Sequence, residues 1–141
     1  MFFNVLVMNT MITYRITFKM NSSLISLVFD PIKFKNLVYL NKVYIIDVRS
    51  PQEISQQGHI NTDNFINIPL NELKTQFSLN ECDFKAKYGI EKPKKNEENI
   101  CTFCKIGRRS VVAMNMLHEL GFTQAKTFEG GWDAWLLMNS N

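Results

Sequence analysis

Val43-Tyr44-Ile45-Ile46 is a continuous apolar run, the pattern of a strand covered on both faces rather than one with a wet side. It marks a strand expected over 42–48. Shorter β-prone runs recur at 24–29, 65–68, 99–103 and 125–128, and the segments between them carry helix signals. Asp30-Pro31 supplies an N-cap and a proline at the first helical position for a helix to about Leu40. Ser50-Pro51-Gln52-Glu53 has the spacing of a capping box, Ser50 bonding forward and Glu53 reaching back, so a short helix should run to about Gln57. Further helical pieces are expected over 70–76 and 81–88, from Ser110 to Leu120, where no breaker intervenes before Gly121, and around Trp132. Strands that alternate with helices imply an α/β domain, a mainly parallel sheet flanked by helices on both faces, with sites outside the carboxyl ends of the strands.

Composition narrows this picture without redirecting it. A chain of 141 residues is the size of one domain, able to bury roughly two thirds of the surface of its unfolded state. Hydrophobic content of 45%, charged content of 21% and a net charge of +3 are ordinary for a globule and do not argue for nucleic acid. The basic run Lys92-Pro93-Lys94-Lys95 is answered at once by Glu97-Glu98 and reads as a solvated loop. Residues 1–23 differ in kind and read as an N-terminal extension or targeting segment, with the domain over 24–141. Met1 to Phe29 carries Arg15 and Lys19 but no acid, and the apolar stretch Phe2 to Met8, interrupted by Asn4, is too short to span a membrane. A mitochondrial presequence, a cytosolic extension and a start at Met20 all remain open, which leaves a cytoplasmic or mitochondrial location, and a reducing compartment fits each.

The chemistry concentrates in Cys104-Lys105-Ile106-Gly107-Arg108-Arg109-Ser110, a cysteine closing a β-prone run, then a short cationic loop, then a helix. In such a turn the loop amides and the first unpaired N–H groups of the helix converge on one concavity and attract an anion. Cys104 should sit at its base as a thiolate nucleophile, favoured by Lys105, Arg108 and Arg109. Gly107 lets the backbone turn tightly. Of the other two cysteines, Cys82 lies between Glu81 and Asp83, which disfavour a thiolate there. Cys101 is three residues from Cys104 along an extended strand, roughly 10 Å away and facing the opposite side, so no disulfide is expected between them. Zinc would need a second ligand pair, and only His59, His118 and Cys82 remain, scattered, so no metal is expected.

The loop, with the pattern C-K-x-G-x-R-S between a strand and a helix, resembles the active-site loop of the rhodanese (thiosulfate sulfurtransferase) family. Other segments agree with that resemblance. Asp47-Val48-Arg49-Ser50-Pro51-Gln52-Glu53, Gly58-His59-Ile60, Asn67-Ile68-Pro69-Leu70, Leu120-Gly121-Phe122 and Glu129-Gly130-Gly131-Trp132 follow in family order, from about residue 24 to the C-terminus. One departure is Asn61 to Ile66, a longer connection than the family pattern, expected as a surface loop that bears on the substrate entrance.

The resemblance implies a single rhodanese-like domain that moves a sulfane sulfur from thiosulfate or a related donor to a thiol such as glutathione, a protein thiol, or cyanide, through a Cys104 persulfide and without a cofactor. Lys105 and Arg108 would attract the donor's sulfonate, Arg109 would bind anion or brace the loop, and Ile106, Gly107 and Ser110 would complete the substrate-binding loop. Asp47 and Arg49 would support it, with Arg49 expected to pair with Glu53. His59 reads as a hydrogen-bonded structural residue, and Trp132 and Trp135 as core, with the Gly130-Gly131-Trp132 turn near the site's rim. Rival readings are a partner-dependent persulfide carrier or binding module and, less well matched, a cysteine phosphatase or arsenate reductase. The last pair needs five residues between cysteine and arginine, whereas here the residue in that position is Ser110 and Arg109 comes one too early.

Overall fold

The computed structural model describes residues 27–140. The extension and the first residues of the strand expected from Leu24 lie outside that range. In chain order the elements are α1 (Pro31–Tyr39), β1 (Tyr44–Asp47), α2 (Pro51–Gln57), β2 (Phe65–Asn67), a single 3-10 turn (Leu70–Glu72) leading into α3 (Leu73–Phe77), α4 (Glu81–Tyr88), β3 (Ile100–Phe103), α5 (Arg108–Glu119), β4 (Lys126–Thr127) and α6 (Gly131–Met138). The strands form one sheet in the order β2-β1-β3-β4, every pairing parallel. The α/β architecture expected from the alternating pattern is therefore present.

Local chemistry explains most boundaries. Asp30 accepts a hydrogen bond from Lys33 N–H at 2.9 Å and Pro31 opens α1. The capping box at α2 is complete, with Ser50 Oγ accepting from Glu53 N–H at 3.1 Å and Glu53 Oε2 accepting from Ser50 N–H at 2.9 Å. The strand expected over 24–29 is not a strand among the described residues. Val28 makes one isolated parallel bridge to Thr127, and Phe29 N–H donates to Thr127 O at 3.0 Å. The Asp30-Pro31 cap turns the chain into α1 before a ladder can extend.

Successive strand residues alternate between the two faces of the sheet. Ile45, Cys101 and Phe103 pack with Phe34 and Val38 of α1 and Trp132 of α6. Ile46, Val48 and Ile100 pack on the other face with Leu73 and Phe77 of α3, Phe84 of α4, and Ala113 and Leu117 of α5. Among the described residues no helix is long and apolar enough to cross a membrane.

Of the stretch expected as a longer surface loop, residues 61–64 form that loop, whereas Phe65 and Ile66 already belong to β2, and the loop lies away from the expected entrance. Asn41, just before β1 and at positive φ, accepts from Thr62 Oγ1 at 2.7 Å and from Asp63 N–H at 3.0 Å through its side-chain oxygen. Asn41 and Asp63 both precede strands of a parallel pair, so the loop is pinned at the amino ends of the strands. Cys104 follows the carboxyl end of β3. The loop does not shape the entrance to the cysteine.

Candidate active site

Gly107 is the N-cap of α5, in a left-handed conformation (φ 100°) and without a side chain to cap anything. The donors that a serine or aspartate cap would normally occupy are left for another acceptor. Cys104 Sγ takes them, accepting from Gly107 N–H at 3.1 Å and from Ser110 N–H at 3.3 Å. Cys104 is only 1% exposed, so the sulfur lies at the floor of the loop. The sulfur thus meets two backbone donors and the positive end of a twelve-residue helix.

Ser110 holds this arrangement from below. Its hydroxyl donates to Gly107 O at 3.0 Å and accepts from Thr127 Oγ1 at 2.7 Å, while Thr102 Oγ1 donates to Ser110 O at 2.7 Å. Thr102, Ser110 and Thr127 are all buried, so β3, β4 and the start of α5 are joined by satisfied polar groups.

The near side of the loop is clamped by α6. Trp132 N–H donates to Cys104 O at 2.8 Å and Asp133 N–H to Lys105 O at 3.1 Å. This approach needs a glycine at position 131, because a Cβ there would lie 2.2 Å from Cys104 O and φ is +56°. The turn placed at the rim by its sequence is thus in backbone contact with Cys104 itself.

The three cations of the loop separate into different roles. Lys105 Nζ pairs with Asp133 Oδ1 at 2.8 Å. Arg109 forms a two-pronged bond to Glu53, Nη1 to Oε2 and Nη2 to Oε1, each 2.8 Å, and so braces the loop against α2. That guanidinium holds the Glu53 carboxyl down at about 2. Arg108 is exposed and makes no ion pair among the described residues. Ile106 is 53% exposed at the loop's outer edge.

Arg49 does not pair with Glu53 as its sequence context suggested. Asp47 and Arg49 are two apart on extended backbone and project the same way. Arg49 Nε and Nη2 donate to Asp47 Oδ1 and Oδ2 at 3.0 and 2.7 Å, Nη2 also donates to Gly58 O at 2.9 Å, and the guanidinium lies 5.0 Å from the Trp132 ring centre. Both residues are fully buried. Their link to the site runs through Trp132, whose N–H holds Cys104 O. His59 Nδ1 donates to Ile60 O at 3.0 Å and the ring stacks on Phe65, a structural placement.

Cys101, Cys104 and Cys82 are all free thiols. Cys101 packs on the face of the sheet opposite Cys104, and burial pushes its thiol well up. Sequence reasoning missed Asp133 as the partner of Lys105 and misassigned Glu53. The capping box was the available signal for Glu53, since a carboxylate fixed at the start of α2 faces the following loops rather than back along β1.

A cysteine just past the carboxyl end of a parallel strand, its sulfur held by the amides of a short loop, lies within a segment, residues 30–138, that matches the family described as the rhodanese-like domain. The chain belongs to the rhodanese family. It is 38% identical over 104 residues to the mouse thiosulfate sulfurtransferase/rhodanese-like domain-containing protein 3, covering 74% of this chain and 64% of the relative. It is 32% identical over 104 residues to the human thiosulfate:glutathione sulfurtransferase, covering 74% of this chain and 88% of the relative. The chain thus spans somewhat less than two thirds of the mouse relative and most of the human one. Among solved structures, the human single-domain sulfurtransferase TSTD1 superposes with a TM-score of 0.70 at 28% identity, over 79% of this chain and 96% of that one. This rhodanese domain therefore shares its fold with single-domain sulfurtransferases.

Proposed function

We propose that this chain is a sulfurtransferase that moves a sulfane sulfur from thiosulfate or a similar donor to a thiol or cyanide, by way of a Cys104 persulfide. The reading rests above all on the Cys104 sulfur, which accepts N–H bonds from Gly107 and Ser110 beneath a glycine-capped helix. A thiolate so held attacks the outer sulfur of thiosulfate. The new bond joins it to Cys104, the old S–S bond breaks, and its electron pair leaves with sulfite. The persulfide keeps the single negative charge of the thiolate, and its outer sulfur reaches further toward the mouth, past donors already oriented for an anion. An acceptor thiolate then attacks that outer sulfur and departs as a persulfide, or cyanide departs as thiocyanate, and the Cys104 thiolate is restored.

Arg108 is the loop cation that meets the sulfonate, since Lys105 and Arg109 are engaged with Asp133 and Glu53. The engagement of Arg109 also speaks against phosphatase chemistry, which would need that guanidinium aimed into the mouth. The test is intact-protein mass spectrometry before and after thiosulfate, with sulfite measured in parallel. A gain of about 32 Da mapped to Cys104, with one sulfite per chain, is expected. Cys104→Ser should abolish it and remain folded, and Cys101→Ser should retain turnover within a few fold. An adduct on another residue, or turnover by the Cys104→Ser variant, would refute the mechanism.

A further inference from the structure

α1 and α6 lie side by side on one face of the sheet, with Phe34 and Trp135 meeting edge to face at 5.6 Å and Tyr39 and Asn139 lining a shared groove. Their inner sides are core. Their outer sides are not polar, as the solvent side of a surface helix ordinarily is. Of the eight large apolar residues exposed among those described, Ile32, Tyr39, Leu40, Leu136 and Leu137 belong to this layer, Tyr39 being 88% and Leu137 76% exposed. Single residues of this kind are common on surfaces, but five on one pair of helices mark an interaction face.

The free charges beside this face are of one sign. Lys33, Lys35 and Lys42 are exposed and make no ion pair among the described residues. The acids of the same segments are both engaged, Asp30 accepting from Lys33 N–H and Asp133 pairing with Lys105. A second copy of the chain is a poor cover, since two such faces would set lysine against lysine. Residues 1–26 add to the same sign, with Arg15 and Lys19, no acid and the apolar run Val5 to Met8, and they join the described chain just ahead of α1. The cations of the face are lysines, point charges on flexible stems that suit a diffuse layer of charge better than the fixed fork of an arginine would.

We propose that the outer face of α1 and α6 rests on an anionic lipid bilayer. Ile32, Leu40, Leu136 and Leu137 enter the boundary between headgroups and acyl chains, Tyr39 takes the interfacial level, and the three lysines meet acidic headgroups. The chain lies on the bilayer here and does not cross it. α6 starts against the Cys104 loop and ends beside Asn41, ahead of β1, so Tyr39, Leu40 and Leu137 are remote from the cysteine and docking leaves its loop uncovered.

The test is co-sedimentation of the full chain with vesicles of phosphatidylcholine, alone or with about one third phosphatidylserine. Binding should be about tenfold tighter to the anionic vesicles and should be lost at about 0.5 M salt, where charges are screened within a few ångströms. Lys33→Gln with Lys35→Gln should weaken it about tenfold, and Tyr39→Ser with Leu137→Ser, both at exposed positions, should weaken it to a similar degree. Both tryptophans of the chain lie in α6, so quenching of their fluorescence by lipids with brominated chains reads this face and not residues 1–26. Binding without quenching, abolished by Arg15→Gln with Lys19→Gln but not by the helix variants, would overturn the proposal. So would failure to bind either vesicle; retention on polyglutamate in that case would assign the face to an acidic protein, and a dimer in light scattering that Leu137→Asp dissolves would assign it to a second copy.

Discussion

Replacing Glu53 by Gln keeps the side chain's shape but removes its charge and one of its two acceptor oxygens. Glutamine at this position still satisfies a capping box, so α2 keeps its start, and what is lost is the charge and one of the two 2.8 Å contacts with Arg109, since the amide nitrogen cannot accept from the second N–H. The carboxyl is held at about 2 against an ordinary 4.5, a difference that sets a ceiling of ~3 kcal/mol at ~1.36 kcal/mol per unit. The pair is not dry, with side-chain exposures of 38% for Arg109 and 26% for Glu53, and solvent screening brings the expected contribution to ~1 kcal/mol. For a chain of this size that is a fall in Tm of about 3–5 °C at pH 7. The folded-state value is depressed, so the stabilisation is complete above the ordinary carboxylate value and is lost as pH falls through the folded one. Urea unfolding of both proteins, followed by circular dichroism from pH 7 to pH 2, should show a difference that is constant down to about 5, shrinks below about 4.5 and is nearly gone at about 2. A difference that stays the same at the lowest pH would show that the ionised pair is not its source, and the bracing role of Arg109 would fall with it.

Two further substitutions probe the supports of the cysteine loop. Gly131→Ala puts a methyl 2.2 Å from Cys104 O and should cost at least ~2 kcal/mol in denaturant unfolding, whereas Gly89→Ala, also at positive φ but with nothing within 4 Å, should cost only about 1 kcal/mol; equal losses would dismiss the close approach. Arg49→Met strands the fully buried Asp47 carboxylate and should cost about 3–5 kcal/mol, with much of it recovered in the double variant with Asp47→Asn; a loss below ~1 kcal/mol would mean that the charge finds other partners.

Elements with local chemistry were legible in the sequence. Asp30-Pro31 and the Ser50–Glu53 capping box are satisfied within a few residues, and both formed as read. In the run Val43–Ile46 all but the half-buried Tyr44 are buried, so it too could be read without knowing its neighbours. The short edge around Val28 could not, because whether a β-prone run becomes a strand depends on a partner about a hundred residues away. The same limit explains the pairing errors. Glu53 lies near Arg49 in sequence and 56 positions from Arg109, yet the capping box holds its carboxylate beside α5. Lys105 and Asp133 meet only because α6 returns to the loop, and Gly130-Gly131 was the sole sign of that return.

The placement of Cys101 and Cys104 on opposite faces of the sheet also decides how the protein would weather oxidation. Peroxide converts a cysteine thiolate to a sulfenic acid, which a neighbouring thiol can trap as a disulfide before further oxidation makes the damage permanent. Cys101 cannot serve as that neighbour, being turned to the other side and held protonated by burial. Rescue must come from thiols in solution, which on the proposed function are also the sulfur acceptors. If Cys104 carries sulfur as proposed, a shortage of such thiols would both strand that sulfur and leave the bare cysteine open to irreversible loss, so one pool would drain the site and protect it.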